Sequence, residues 1–69
     1  MTPGDPTADL LFECILSGTV RAHGVAMECE PDELRRALAA LSTFRGPGTF
    51  ARDVTIALIR DELAKRRAT

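Results

Sequence analysis

The chain contains no tryptophan and no tyrosine, and its 69 residues include only two cysteines and one histidine. These three residues, Cys14, His23 and Cys29, form together with Glu28 the one combination suited to a soft metal ion. The two cysteines are far apart in sequence, whereas structural zinc sites usually pair ligands separated by about two to four residues. We therefore expect no metal, no cofactor and no catalytic site.

The two cysteines are expected to be reduced core residues. Cys14 lies in the most apolar segment of the chain, between Leu10 and Leu16. Burial raises the pKa of a thiol and so disfavours its use as a nucleophile. Free cysteine also behaves as a small hydrophobic residue that suits a core. A disulfide between Cys14 and Cys29 is an alternative that the sequence leaves open.

The sequence has no excess of either charge, with nine basic residues, ten acidic residues and a formal net charge of −1. Proteins that neutralise many phosphates usually show a clear basic excess, so nucleic acid is not the expected partner. No apolar run approaches the ~18 residues that cross a membrane, and the beginning of the chain lacks the pattern of a signal peptide. We therefore expect a cytoplasmic protein with no membrane contact.

The composition is that of an ordinary globular domain, with 45% hydrophobic and 28% charged residues. Its richness in arginine and alanine is typical of proteins from GC-rich bacterial or phage genomes. A chain of this length buries only ~60% of the surface that its unfolded form exposes, which leaves a marginal core. Association between copies is one way to stabilise such a small core, so a homo-oligomer, most simply a dimer, is expected.

The predicted fold is mainly α, a single small domain with a flexible lead at 1–6 and helices at about 7–17, 31–44 and 49–67. Asp5 followed by Pro6 suits the beginning of the first helix, and Thr7 with Asp9 in the first turn is the alternative. Gly18 suits the end of this helix. Pro31 suits the first turn of the second helix. A Gly-Pro-Gly stretch separates the second helix from the third, which Thr49 is expected to cap.

The segment 19–28 between the first two helices is predicted to be a short β-hairpin. Its alternating pattern is centred on His23-Gly24, and a two-residue turn there would place Val20 and Met27 on the same side. A short helix is the alternative, because Val20, His23 and Met27 also fall on one helical face. A two-stranded ribbon alone is only marginally stable, so the helix remains an open alternative.

The third helix carries apolar residues in two stripes on opposite sides. One stripe consists of Phe50, Val54, Ala57 and Leu58, and the other of Ile56, Ile59 and Leu63. Since so short a chain is not expected to bury both, the second stripe is predicted to contact a partner. The predicted protein interface consists of Arg52, Ile56, Ile59 and Leu63.

These features favour a non-enzymatic protein-interaction module, such as a small bacterial or phage accessory, inhibitor or immunity-type protein that occupies a surface on a larger protein. The alternative is a small DNA-binding regulator, in which the second and third helices form a helix-turn-helix with Arg45 and Arg52 near the recognition helix. The Gly-Pro-Gly loop opposes this alternative. Ile56 and Ile59 also stand where polar residues that read bases are needed.

Overall fold

Four α-helices make up most of the chain in a computed structural model that describes residues 3–18 and 20–68. They are α1 (Pro6–Leu16), α2 (Arg21–Glu28), α3 (Pro31–Thr43) and α4 (Thr49–Ala68). The described residues contain no β-strand, which confirms the mainly α class. The prediction of three helices was wrong by one, because α2 adds a fourth.

Helix α1 begins and ends on the residues that the sequence indicates. The Oδ2 atom of Asp5 accepts hydrogen bonds from the backbone N–H groups of Thr7 and Ala8, each at 3.1 Å. Pro6 occupies the first helical position, where its missing N–H is not needed. Gly18 has a φ of +69°, the left-handed conformation that commonly follows a helix end.

One residue of the predicted lead, Gly4, makes a hydrogen bond to α1. The backbone N–H of Gly4 donates to Oδ1 of Asp9 at 3.0 Å, which ties it to the first turn of α1. Met1 and Thr2, which belong to the predicted lead, lie outside the described residues.

The segment predicted to be a β-hairpin is instead helical, so that prediction was wrong over the described part of 19–28; Thr19 lies outside it. The physical reason is the burial of Ala22 and Ala26, whose side chains are almost completely covered. The predicted hairpin would place these two alanines on opposite faces, whereas residues four apart share a helical face. The helix therefore buries both against its neighbours, and α2 contacts α1 and α4.

Helices α3 and α4 begin at the predicted residues and end within one residue of the predicted ends. At the start of α3, Oε1 of Glu33 accepts a hydrogen bond from the backbone N–H of Glu30 at 2.7 Å. At the start of α4, the carbonyl of Gly48 accepts from the N–H of Arg52 at 2.9 Å. Gly48 is therefore the capping position, and Thr49, predicted to be the cap, is the first helical residue.

Helices α1 and α4 form the centre of the fold, since each of them contacts the other three helices. The ring of Phe12 on α1 meets that of Phe44 edge to face, with a centroid distance of 5.3 Å. The largest completely covered side chains belong to Leu11, Phe12, Leu34, Leu41, Thr55 and Ile59. No described helix is both long enough and apolar enough to cross a lipid bilayer.

Candidate interaction surfaces

The interface predicted on α4 lies largely against the chain's own core. Ile59 has 0% of its surface exposed, and Ile56 and Leu63 are partly buried against the same core. The assignment of Ile59 to a stripe without an intramolecular partner was therefore wrong. Leu63 also lines a shallow open cleft with Pro31 and Arg35, at the start of α3.

Leu58 from the first apolar stripe of α4 and Ile59 from the second flank one buried face, whereas Phe50 and Ala57 of the first stripe are exposed. Ala51 and Thr55 lie between Leu58 on one flank and Ile59 on the other, and all four are buried. The hydroxyl of Thr55 donates to the carbonyl of Ala51 at 2.7 Å, so its polar atom is satisfied inside the helix. A pattern that counts only apolar residues omits this central row and so divides one face into two.

Arg52, the polar member of the predicted interface, connects α4 to the end of α3. Its Nη1 atom donates to the carbonyl oxygen of Phe44 at 3.0 Å, and Phe44 is the residue that follows the last turn of α3. Its Nη2 atom forms an ion pair with Oδ1 of Asp53 at 2.8 Å. The guanidinium of Arg52 thus holds the α3–α4 connection together.

The helix-turn-helix alternative also depends on Arg45, which is exposed. Its Nη1 atom donates to the carbonyl of Ser42 at 3.3 Å, at the end of α3. Of the two arginines that this alternative requires, Arg52 is engaged in the fold and Arg45 lies at the surface. The Gly-Pro-Gly turn is equally structural, because a Cβ atom at Gly48 would lie 2.9 Å from Cζ of Phe12.

Arg66 in the last turn of α4 caps the C-terminal end of α2. Its Nη1 atom donates to the carbonyl oxygen of Cys29 at 2.6 Å, and its Nη2 atom donates to those of Ala26 and Met27 at 3.0 and 2.9 Å. Its Nε atom pairs with Oε1 of Glu62 at 3.3 Å. Since α2 has no basic residue in its own last turn, Arg66 supplies the positive charge that stabilises a helix C-terminus.

The two cysteines are free thiols in this structure. Cys14 is buried, as predicted, whereas Cys29 is only partly buried. The Cys29 thiol donates to the carbonyl of Val25 at 3.1 Å. Burial raises the pKa of Cys29 above its ordinary value, and the Glu33 carboxylate raises it further, while Arg66 acts in the opposite direction. Among the described residues, no three His, Cys, Asp or Glu side chains are grouped to hold a metal ion.

The large apolar side chains that do face solvent are not those of the predicted interface. They belong to Leu10, Leu16, Val20, Met27 and Phe50. Phe50 is 81% exposed and lies two residues after Gly48, which itself lies against Leu16 and Phe12. Sequence reasoning placed Phe50 in the core-facing stripe. Nine helical positions separate Phe50 from the buried Ile59, which places the two side chains on opposite sides of α4.

Comparison of the chain with protein-family models, with curated proteins and with solved structures finds no match.

Proposed function

We propose that the chain is a protein-interaction module that catalyses no reaction and binds a larger protein by inserting Phe50 into an apolar pocket of that protein. The observation that carries this proposal is the exposure of Phe50, the largest apolar side chain outside the core. Buried aromatic anchors supply a large share of the binding energy at protein interfaces. A chain of this kind would act as a small accessory, inhibitor or immunity-type protein.

The position of Phe50 supports a role as an anchor. It lies in the first turn of α4, between Gly48, which packs on Phe12, and Arg52, which donates to the carbonyl of Phe44. The backbone that carries the ring is thus held on both sides. A side chain on a fixed backbone loses less conformational entropy when it binds, which favours affinity.

The residues first predicted to form the interface take other parts in this proposal. Ile59 stabilises the core. Arg52 donates to the carbonyl of Phe44 and so fixes the first turn of α4, which carries Phe50. Ile56 and Leu63 are partly exposed and contribute only to the edge of the proposed interface. The contact that we propose is therefore centred on the first turn of α4 rather than on its middle.

We do not propose duplex DNA as the partner. The short turn between α2 and α3 carries a group of carboxylates that would repel phosphate. They belong to Glu28, Glu30, Asp32 and Glu33. The chain as a whole has a net charge of −1, which supplies no compensating attraction.

The test is site-specific photocrosslinking followed by quantitative binding. The photoreactive amino acid benzoylphenylalanine replaces Phe50 in the native host, and a matched variant carries it at Ala39, an exposed alanine of α3. We expect one protein to be crosslinked from position 50 and not from position 39. Calorimetry with that purified protein should then show binding at least about tenfold weaker for Phe50→Ala than for the unchanged chain. Equal affinity of the two, or no crosslink from position 50, would contradict the proposal.

A further inference from the structure

The outer face of α2 is apolar at both of its ends and carries His23 and Gly24 at its centre. Val20 is 88% exposed, Met27 is 67% exposed, and His23 lies between them on the same helical face. The opposite face holds the buried Ala22 and Ala26 that dock α2 onto the fold. The side of α2 that faces solvent is therefore the one with the larger apolar residues, an arrangement typical of a surface that contacts another chain.

Gly24 leaves one half of the middle of this face without a side chain, beside His23. A Cβ atom built at Gly24 would have no atom within 4 Å, so nothing in the chain itself requires a glycine there. Glycine in the interior of a helix destabilises it relative to alanine. Its usefulness lies in the absence of a side chain, which lets the backbone of a second helix come close at that point.

The positions along α2 are suited to a two-fold arrangement. Val20 and Met27 stand at nearly equal distances on either side of His23 and Gly24. If a second α2 lies antiparallel across this centre, Val20 of one copy faces the partner's Met27, and the reverse contact follows by symmetry. We propose that the outer face of α2 pairs with the same face of a second copy of this chain.

The charges at the ends of α2 complement one another in this arrangement. Arg21 is the first residue of α2 and Glu28 is the last, seven positions later, so both lie on the same edge of the exposed face. Antiparallel pairing brings Arg21 of each copy to the end of the helix where the partner's Glu28 lies. Opposite charges at both ends favour the antiparallel direction and this register of the pair.

The face of an eight-residue helix is small beside the ~1,200–2,000 Å² of total surface buried in stable protein complexes. The dimer is therefore weak, with a dissociation constant on the order of micromolar or higher. This inference goes beyond the proposed function and does not depend on it, because Phe50 takes no part and the test needs only the purified chain.

The test is sedimentation equilibrium of the purified chain from about 5 µM to 1 mM, with three single variants and one double variant. Gly24→Gln places a helix-compatible side chain at the centre of the face, and Ala57→Gln places the same side chain on the exposed side of α4. The unchanged chain and Ala57→Gln should both dimerise as concentration rises. Gly24→Gln should dissociate at least about tenfold more readily, while its circular dichroism still shows the full helix content.

The third variant tests the antiparallel direction. Glu28→Arg places like charges together and should weaken the dimer, and adding Arg21→Glu should restore it. In a mixed sample of labelled and unlabelled chains, an intermolecular nuclear Overhauser effect should connect the Val20 methyl groups with the partner's Met27 methyl group. A chain that stays monomeric at 1 mM, or dimers that Gly24→Gln leaves unchanged, would overturn the inference.

Discussion

Arg66 donates from Nη1 to the carbonyl oxygen of Cys29 at 2.6 Å, across 37 positions of sequence. The same guanidinium also holds the carbonyls of Ala26 and Met27, so one side chain of α4 closes the end of α2. Helix α2 is short and buries mainly two alanines, and it carries Gly24 in its interior. Its place in the fold therefore depends strongly on Arg66.

Replacing Arg66 by methionine is expected to destabilise the fold by about 2 kcal/mol, because hydrogen bonds to charged groups contribute roughly 1.5–3 kcal/mol and the carbonyls are left without this donor. Urea denaturation measures the loss. Hydrogen exchange should show that amides of α2 lose protection before those of α3, since α2 is the element released. Arg66→Lys should recover only part of the stability, because an ammonium does not reproduce the guanidinium fork.

The matched control is Arg67→Met, at an exposed neighbouring position. It should change the stability by less than about 0.5 kcal/mol, as surface substitutions usually do. Equal effects of the two substitutions, or uniform loss of protection in α2 and α3, would contradict the role given to Arg66.

Gly48→Ala and Gly24→Ala are expected to change stability in opposite directions. Gly48 has a φ of +87°, and a Cβ there would lie 2.9 Å from Cζ of Phe12, so alanine should cost about 1–3 kcal/mol. Gly24 is helical and open to solvent, so alanine should add up to about 1 kcal/mol. Thermal unfolding in dilute solution, where copies of the chain do not associate, gives both values. A stabilising Gly48→Ala would show that the turn before α4 is described wrongly.

Ile59→Ala is expected to cost about 2–5 kcal/mol, the usual loss when a completely buried large aliphatic side chain is truncated. Phe50→Ala, nine positions earlier on the same helix, should cost less than about 0.5 kcal/mol, because its ring packs on little of the chain. The urea denaturation midpoints of the two variants distinguish the core position 59 from the surface position 50 on α4. The reverse order would restore the interface first predicted from the sequence.

The stability of the fold is expected to fall at alkaline pH because of Cys29. Burial and the nearby Glu33 raise the pKa of Cys29 in the folded protein above its ordinary value of 9.0, so the folded state keeps a proton that the unfolded state has lost. The stability that the protonated Cys29 thiol contributes to the fold is complete below pH 9.0 and is lost as pH rises from there through the pKa of Cys29 in the folded protein. Urea midpoints between pH 7 and 10 should fall more for the unchanged chain than for Cys29→Ala. If the urea midpoints of the unchanged chain and of Cys29→Ala fell equally with pH, this role of Cys29 would be contradicted.

Sequence reasoning located three of the helices because their ends carry local chemistry. Asp5 with Pro6 and Pro31 with Glu33 act through contacts within one helical turn, so the sequence suffices to identify them. Thr49 was one residue from the true cap, since Gly48 is fixed by its contact with Phe12, a contact between distant segments.

The parts that the sequence did not predict depend on packing between helices. The helical state of α2 follows from the burial of Ala22 and Ala26 and from the guanidinium of Arg66, about 40 positions away. The single buried face of α4 depends on Thr55, which hydrogen bonding within the helix makes compatible with the core. The candidate surface consequently moved from Ile59 to residues that the periodicity had assigned elsewhere.

The chain covers Ile59 and presents Val20, Met27 and Phe50 to solvent. The most direct measurement is the relaxation enhancement that a soluble paramagnetic agent causes in side-chain NMR signals of the dilute protein. We predict strong broadening of the methyl signals of Val20 and Met27 and of the Phe50 ring, with the Ile59 methyl signals protected. Broadening of the Ile59 signals equal to that of Val20, with the Phe50 ring protected, would contradict this assignment of buried and exposed side chains.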